Sequence, residues 1–395
     1  MTGAGWRGVA SGMAAAGLLA GLAVAGPELL PAVALACALL AIAARPHWHT
    51  CRDLPAALAA VAWLVSALLA PRGATTIAAA MPMLACVLVV CGTARLPPGF
   101  ARALFAGCLA MAVLILALVA GFELAKLGEL RSTAYPGLAG WGGFPEVGLL
   151  GVMTLPVALS LAIGGGPRGA RAGAVVATLT AAAGVGLSAS RAAWGAALVG
   201  TVLVVVARRR SQWRTMVAAA IGVMLLATLV VVWLRPQPAG GAVPVEVAMG
   251  SRLEAWSQAA RLWRERPLIG WGPASYRQVY GRHFEQPADA LPADAQFHAH
   301  NAYLNLAVET GVLGVVSVLW FAAVVVAGTG GRSVPGGTLV AAARTGLACG
   351  LIAVAVRFLI DYFDPAGAGM RVMLWLSILA GLRLALDVSR DRASA

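Results

Sequence analysis

Residues 298–327 read HAHNAYLNLAVETGVLGVVSVLWFAAVVVA, a short polar stretch that passes directly into a long apolar run. The apolar part, 302–327, is long enough as a helix to cross the hydrocarbon core of a bilayer. Asn301 stands at the start of this run, where its side chain can cap a helix N-terminus. This stretch therefore predicts a membrane-spanning helix with two histidines, His298 and His300, at its mouth.

The rest of the chain has the same apolar character. Of its 395 residues, 60% are hydrophobic and only 11% are charged, which is typical of a polytopic membrane protein rather than a soluble domain. About twelve apolar runs have the length of a membrane span. They lie near 8–26, 28–44, 54–70, 76–93, 103–121, 146–163, 172–188, 191–207, 215–234, 302–327, 339–360 and 369–386. We therefore predict an all-α polytopic membrane protein of about twelve transmembrane helices, with 1–395 as a single membrane domain.

One long polar loop, residues 235–301, interrupts these spans. Within it Ser251 and Glu254 fit a capping box at a helix start, and Pro267 marks the end of that helix. Apolar residues at helical spacing would form one face: Leu253, Trp256, Ala260 and Trp263. The segment 270–273, Gly-Trp-Gly-Pro, predicts a tight turn. The loop is therefore expected to contain amphipathic helices at the bilayer surface.

Arginine placement predicts the orientation. If the N-terminus is cytoplasmic, each inner loop is more basic than its outer neighbours, as the positive-inside rule requires. The inner arginines are then Arg45, Arg52, Arg95, Arg102, Arg168, Arg171, Arg208, Arg209, Arg210, Arg214, Arg332, Arg390 and Arg392. Both termini are predicted to be cytoplasmic and the loop 235–301 extracytoplasmic. Most of the net charge of +13 then lies on the cytoplasmic face, against anionic lipid, and no nucleic-acid partner is predicted.

Two arginines are candidates for anion binding at the outer face. Arg191 follows Ser190 at the mouth of a span, where an arginine faces a cavity or a partner or extends to the headgroups. Arg252 begins the loop helix and is either a ligand group or a solvated side chain. Guanidinium groups suit phosphate because they stay charged and present several donors in one plane. Two of them at one cavity would bind a diphosphate.

His300 is the candidate general base, because its unperturbed pKa lies near 6.5. Two alternatives remain open: His300 merely caps the end of a helix, or it binds a metal ion together with His298. Glu309 is an acid inside a span and needs a partner such as an arginine. Arg357 and Asp361 are four residues apart and are expected to pair along one helix face.

These residues resemble the O-antigen ligase and polymerase superfamily of membrane glycosyltransferases. The family motif is His, then Asn, Ser or Gln, then nine residues, Gly, two residues, and Gly, Thr or Tyr. Here His300, Asn301, Gly311 and Gly314 fit it without a gap. The segment 267–272 (PLIGWG), Arg252 with Trp256, and the Ser190-Arg191 pair also resemble the family. The resemblance covers about 130 residues, roughly 185–315, and the first 180 residues match only in the layout of spans.

The resemblance implies an inverting, metal-independent glycosyltransferase without a cofactor, in the bacterial inner membrane. Its donor would be a glycan on a polyprenyl (undecaprenyl) diphosphate carrier, presented on the outer, periplasmic face. Carried over residue by residue, Arg191 and Arg252 would bind the diphosphate and His300 would orient or deprotonate the acceptor hydroxyl. We also expect Asn301, Gly270, Gly272 and Glu309 to contribute to substrate binding.

The acceptor stays open between lipid A core, another lipid-linked glycan and a protein side chain. The chain ends at Ala395 soon after its last span, which favours a ligase or a polysaccharide polymerase. Two other classes of function compete with the transferase. A secondary transporter often has twelve spans but requires acids and broken helices at mid-membrane in both halves. A non-catalytic assembly protein would not need Arg191, Arg252 or His300.

Overall fold

The computed structural model describes Leu39, Ile42 and residues 50–71, 73–125, 144–164, 166–188, 190–208, 245–283, 298–328, 338–361 and 370–386. Within these ranges the regular structure is eleven α-helices, and no β-strand occurs there. They are α1 (Thr50–Leu69), α2 (Gly73–Ala94), α3 (Pro98–Ala125), α4 (Phe144–Gly164), α5 (Arg168–Leu187), α6 (Arg191–Arg208), α7 (Val245–Glu265), α8 (Tyr276–His283), α9 (Ala302–Ala327), α10 (Thr338–Arg357) and α11 (Met370–Ala385).

Seven of the described helices are long and apolar enough to cross a membrane, namely α1, α3, α4, α5, α6, α9 and α10. Shorter apolar stretches, Ala79–Ala94 and Val372–Ala385, lie in α2 and α11. An all-helical membrane protein is thus confirmed. The predicted spans 8–26, 28–44 and 215–234 lie outside the described residues except for Leu39 and Ile42, so the count of twelve stays a prediction.

Helix α4 lies at the centre of the bundle. Its spanning segment Val147–Gly164 is fully buried inside the protein, and α5, α6 and α10 pack around it. Glycines permit the close approach: a Cβ on Gly151 would collide with Val185 of α5, and one on Gly346 of α10 with the backbone of Val157. Small residues of this kind are the usual contacts between membrane helices.

The outer surfaces of the bundle are apolar. Large exposed side chains project from α1, α3, α6 and α9, including Leu68, Leu114, Leu118, Val202, Val206, Leu313 and Trp320. On a soluble protein such surfaces would be an aggregation hazard. In a bilayer they are solvated by lipid chains, as a spanning helix requires.

Helices α7 and α8 are joined to the bundle through α9. A small hydrophobic cluster holds them there, formed by Ala259, Leu262, Tyr276, Val279, Tyr280, Ala299 and Val308. Because Ala299 belongs to this cluster, the segment between His298 and His300 is packed against the loop helices. Helices α7 and α8 and the mouth of α9 therefore form one packed unit.

Candidate functional site

His300 lies in a turn at the N-terminal mouth of α9 and has an unusual backbone conformation. Its φ is +48°, in the left-handed region that costs a non-glycine residue energy and is often found at functional sites. The His300 amide donates to Nδ1 of His298 at 3.1 Å, so that nitrogen of His298 carries no proton. The two rings meet edge-on with centroids 4.2 Å apart. The turn thus presents a half-buried His300 ring in a defined orientation.

Asn301 ends this turn and caps α9, as predicted. Its Oδ1 accepts from the amides of Tyr303 and Leu304, each at 3.0 Å, and its Nδ2 donates to the Leu359 carbonyl at 2.8 Å. The Ala302 amide donates to the carbonyl oxygens of Phe358 and Asp361. Because every group of the Asn301 amide meets the protein, its position is tied to the turn that follows α10.

Helix α9 is broken at Gly311, where φ is +64° and ψ is −166°. The break leaves two carbonyls and two amides without helical partners, and the segment 267–272 supplies them. Trp271 and Gly272 donate to the carbonyls of Val308 and Glu309, both at 2.9 Å. In return, Val312 and Leu313 donate to the carbonyls of Pro267 and Leu268 at 2.8 and 3.2 Å. The loop therefore completes the hydrogen bonding of a membrane helix, which satisfies the need to pair buried backbone groups.

Two glycines make this exchange possible. Gly270 has φ of +69° and Gly311 has φ of +64°, values that favour glycine. A Cβ on Gly270 would collide with the backbone of Glu309, and a Cβ on Gly311 would collide with the backbone of Leu268. The backbone of the segment 268–270 is thus in close contact with that of the segment 309–311. Gly272, with φ of +105°, continues the same turn.

Helix α7 differs from the sequence prediction at its start and in its buried face. It begins at Val245, so Ser251 lies inside the helix and the predicted capping box is wrong. The buried face consists of Ala255, Gln258, Ala259 and Leu262, not of the predicted Leu253, Trp256, Ala260 and Trp263. The reason is close packing: small alanines let α7 approach the histidine turn and α9, whereas Leu253 is 55% exposed.

This correction places Arg252 on the inner side of α7. Arg252 stands three and seven residues before Ala255 and Ala259, and such positions share one face of a helix. It is half-buried, whereas Arg261 and Arg264 are exposed. Nine residues separate Arg252 from Arg261, which at 3.6 residues per turn puts them on opposite faces. Arg252 therefore points to the side of α7 that faces α9.

Arg191 is the first residue of α6, at the predicted span boundary. Ser190 caps this helix through its Oγ, which accepts from the Ala193 amide at 3.3 Å. The preceding Ser188 is buried and donates to the Val185 carbonyl at 2.6 Å. Arg191 itself is exposed. Neither Arg191 nor Arg252 makes a hydrogen bond or ion pair with another described residue.

The Arg357–Asp361 pair connects the Arg191 segment with the histidine turn. The predicted ion pair forms, with Arg357 Nη2 3.2 Å from Asp361 Oδ2. A Cβ on Gly148 would stand 3.0 Å from Ser188 Oγ and 3.1 Å from Arg357 Nη1, so these two groups converge over Gly148. At the other side of the pair, Ala302 donates to the Asp361 carbonyl at 3.1 Å. The segments 188–191, 298–302 and 357–361 thus lie at one end of the bundle, which we call the histidine end.

The tyrosines of α8 are poor candidates for a base. Burial raises the pKa of the Tyr276 hydroxyl above its ordinary value of 10, and the charges of Tyr280 and Glu309 raise it further. Burial also raises the pKa of Tyr280, and nearby Glu254 adds to this effect, although the hydrogen bond to Gln258 lowers it. Both phenols are therefore neutral near pH 7, and they serve as packing groups beneath the loop.

Ring contacts and one ion pair fix the far side of the loop. The Arg266 guanidinium lies 4.6 Å from the centre of the Trp271 ring, and His283 meets that ring edge-on at 5.3 Å. His283 Nε2 is 3.0 Å from Glu265 Oε2. Among the residues that the structure describes, no group of three His, Cys, Asp or Glu side chains is arranged to hold a metal ion.

Comparison with protein families finds a match to part of the chain. Residues 176–319 match the family model described as O-antigen ligase. The matched range begins in α5 and ends in α9, so it includes Arg191, Arg252, the histidine turn and the break at Gly311. No curated protein matches the chain. The match confirms the family resemblance drawn from the sequence: residues 176–319 of this membrane protein are similar to the O-antigen ligase family.

Proposed function

We propose that the protein transfers a glycan from a polyprenyl diphosphate carrier to an acceptor hydroxyl, with inversion at the anomeric carbon. One observation carries this proposal: the O-antigen ligase match covers residues 176–319, a range that includes Arg191, Arg252 and His300. The proposal includes the twelve-span topology, with cytoplasmic termini and the loop 235–301 on the outer, periplasmic side of the inner membrane. The acceptor is lipid A core or another glycan, with a protein hydroxyl as the third class.

Arg191 and Arg252 bind the diphosphate in this proposal. Neither guanidinium has a partner among the described residues, and a diphosphate offers the acceptor oxygens that both can use. Negative charge grows on the leaving diphosphate as the glycosidic bond breaks. Fixed cations at that position stabilise the transition state, because charge that develops there meets donors already in place.

His300 serves as the base. The acceptor oxygen forms its bond to the anomeric carbon while the bond from that carbon to the phosphate oxygen breaks. The hydroxyl proton passes to an imidazole nitrogen of His300, and the bonding electrons leave with polyprenyl diphosphate. Gly270, Gly272 and Asn301 hold the turns around this point. Their contribution to substrate binding is through the backbone shape that they impose.

The test is transfer by the purified protein, measured as release of polyprenyl diphosphate from a lipid-linked glycan in the presence of EDTA. The variants are His300→Ala, Arg191→Ala and Arg252→Ala. We expect wild-type transfer to persist with EDTA and each arginine variant to lose roughly 10²–10³-fold in rate. The His300→Ala variant, which lacks the proposed base, is expected to transfer glycan roughly 10²–10⁴-fold more slowly.

Arg261→Ala is the matched control, because Arg261 lies on the same helix as Arg252 but on its exposed, opposite face. It should transfer glycan at the wild-type rate. The acceptor that supports transfer identifies the subclass. Wild-type protein that is inert with lipid A core, glycan and peptide acceptors alike, or active-site variants that match it, would overturn the proposal.

One observation favours a secondary transporter as the second candidate. Helix α9 is broken at Gly311 beside the buried acid Glu309, and broken helices with intramembrane acids are common in transporters. Proteoliposomes loaded with lipid-linked or polar substrates decide between the two. Substrate movement without glycosidic bond cleavage would support transport, whereas cleavage without movement supports the transferase.

A further inference from the structure

Glu309 is a buried acid whose carboxylate the proposed reaction does not use. Its side chain is 4% exposed, and it lies two residues before the break in α9. Oε1 accepts from Nδ2 of Asn305 at 3.0 Å. Both residues line an almost wholly apolar cavity of about 110 Å³, shared with Trp63, Met83 and Met373. A carboxylate in such surroundings needs the hydrogen bonds that the protein itself supplies.

The carboxylate of Glu309 determines which way the Asn305 amide faces. A carboxylate only accepts hydrogen bonds, whereas an asparagine amide has one accepting and one donating end. Nδ2 must therefore face Glu309, and Oδ1 must face the other way. There Oδ1 accepts from the Ala299 amide at 3.4 Å. Asn305 is 1% exposed, so water does not compete for either end.

The Glu309 end of this connection is held in place. The Glu309 carbonyl accepts from the Gly272 amide at 2.9 Å and from the Ser66 hydroxyl of α1 at 2.7 Å. Two separate segments, the 267–272 loop and α1, thus fix the residue at the helix break. The Ala299 end lies between His298 and His300, where the His300 backbone has its left-handed conformation. A fixed acid is linked through one amide to the turn that carries the proposed base.

We propose that Glu309 and Asn305 are positioning residues for His300. They hold the Ala299 amide, and through it the backbone that orients the imidazole, without touching donor or acceptor. This inference rests on the proposed function, in which His300 is the base. It replaces a substrate contact of Glu309 with a supporting role. Removing either residue leaves the two arginines in place but allows the histidine turn to move.

The experiment compares Glu309→Gln, Glu309→Leu, Asn305→Ala and Asn305→Asp with wild type in the glycan-transfer assay. Asn305→Ala, Asn305→Asp and Glu309→Leu should lower kcat roughly tenfold to a hundredfold, as loss of supporting contacts does elsewhere. The donor KM should stay within about twofold, because neither residue contacts the donor and the binding of the donor is therefore unchanged. Glu309→Gln keeps an acceptor for Asn305 and should recover most of the activity.

Ser317→Ala is the control. Ser317 is also a buried polar residue of α9, but among the described residues its hydroxyl bonds only to the carbonyls of Leu313 and Gly314 in the same helix. It should retain wild-type kcat. A donor KM that rises in the Glu309 variants with kcat unchanged would show a substrate contact instead. Wild-type kcat in folded Asn305→Ala would overturn the positioning role.

A second measurement does not depend on activity. Diethylpyrocarbonate modifies accessible imidazoles, and peptide mass spectrometry separates His298 and His300 from the other histidines. We expect the modification rate at His298 and His300 to rise several-fold in Asn305→Ala and Glu309→Leu, and to stay unchanged in Glu309→Gln and Ser317→Ala. If the wild type transfers no glycan, the proposed function fails, yet this rate still decides whether Glu309 and Asn305 hold the turn. An unchanged rate in every variant refutes the positioning.

Discussion

The arginines at the two ends of the helical bundle have different surroundings. At the C-terminal end of α9, which we call the paired end, Asp53 lies between Arg52 and Arg95 with contacts of 2.9 and 2.7 Å. Arg383 donates there to the carbonyls of the last turn of α9. At the histidine end, up to about 39 Å away along 26 residues of helix, Arg191 and Arg252 meet no acceptor among the described residues.

This difference separates arginines that complete the fold from arginines that would bind the diphosphate in the proposed function. A buried cation without a counter-charge is strongly unfavourable, so Arg52 and Arg95 require Asp53. Arg191 and Arg252 lie where water, headgroups or an anionic substrate can reach them. Burial with a partner thus indicates a structural arginine, and the lack of a partner among the described residues makes Arg191 and Arg252 the candidates for substrate binding.

The largest effect is expected from Gly311→Ala at the histidine end. The substitution forces a left-handed φ on alanine and drives its Cβ into the Leu268 backbone. The four hydrogen bonds between the loop and α9 must then separate. We expect a loss of stability on the order of 4–5 kcal/mol together with loss of transfer. Reaction of the buried thiols Cys86, Cys91, Cys108 and Cys349 with a fluorescent dye during heating measures the unfolding.

Gly195→Ala serves as its control, because no atom lies within 4 Å of a Cβ at that position. It should be as stable as wild type or slightly more so, since alanine favours a helix over glycine. A stable and active Gly311→Ala would show that the loop and α9 do not depend on the close approach of Gly311 to the Leu268 backbone.

The next effect is expected from Asp53→Ala at the paired end. Removal of this carboxylate leaves Arg52 and Arg95 buried without their counter-charge, which costs roughly 3–5 kcal/mol. The same dye assay should show a lower unfolding temperature. The donor KM of the protein that stays folded should match wild type, because the paired end lies away from the site.

The double variant Asp53→Ala/Arg52→Leu tests the cause. Removing one of the uncompensated charges should recover part of the lost stability, which makes the two changes non-additive. Additive losses would mean that the two residues contribute independently. A raised donor KM in either variant would contradict the separation of the two ends.

The sequence predicted the membrane helices well because their signal is local. Apolar runs placed α1, α6, α9 and α10 close to their observed bounds, and the Asn301 cap follows from the residue type next to such a run. The break at Gly311 was missed because α9 stays apolar on both sides of it. Only the backbone of a loop some 40 residues earlier in the chain makes the break stable, and no local pattern encodes that contact.

The candidate site was predicted in part. The motif placed Gly311 and the glycine turn in one family pattern, but not in contact with each other. The start and face of α7 were wrong because the pattern of large apolar residues was taken as the buried face, while Ala255 and Ala259 form it. The Arg357–Asp361 pair was predicted from its spacing. Its contact with the histidine turn joins residues far apart in sequence, which a helical pattern does not reveal.

The smallest effect is expected from Arg266→Ala, which tests whether the comparison holds within the histidine end itself. Arg266 lies over the Trp271 ring and is half-buried, so it resembles the arginines of the paired end in having a protein partner. Loss of this cation–π contact should cost about 0.5–1 kcal/mol, a shift of only a few degrees in the dye assay. The donor KM should not change.

Arg264→Ala, at an exposed position of α7, should show neither effect. If Arg266→Ala instead slowed transfer as much as is expected for Arg252→Ala, a partner within the protein would no longer distinguish the structural arginines from those proposed to bind substrate.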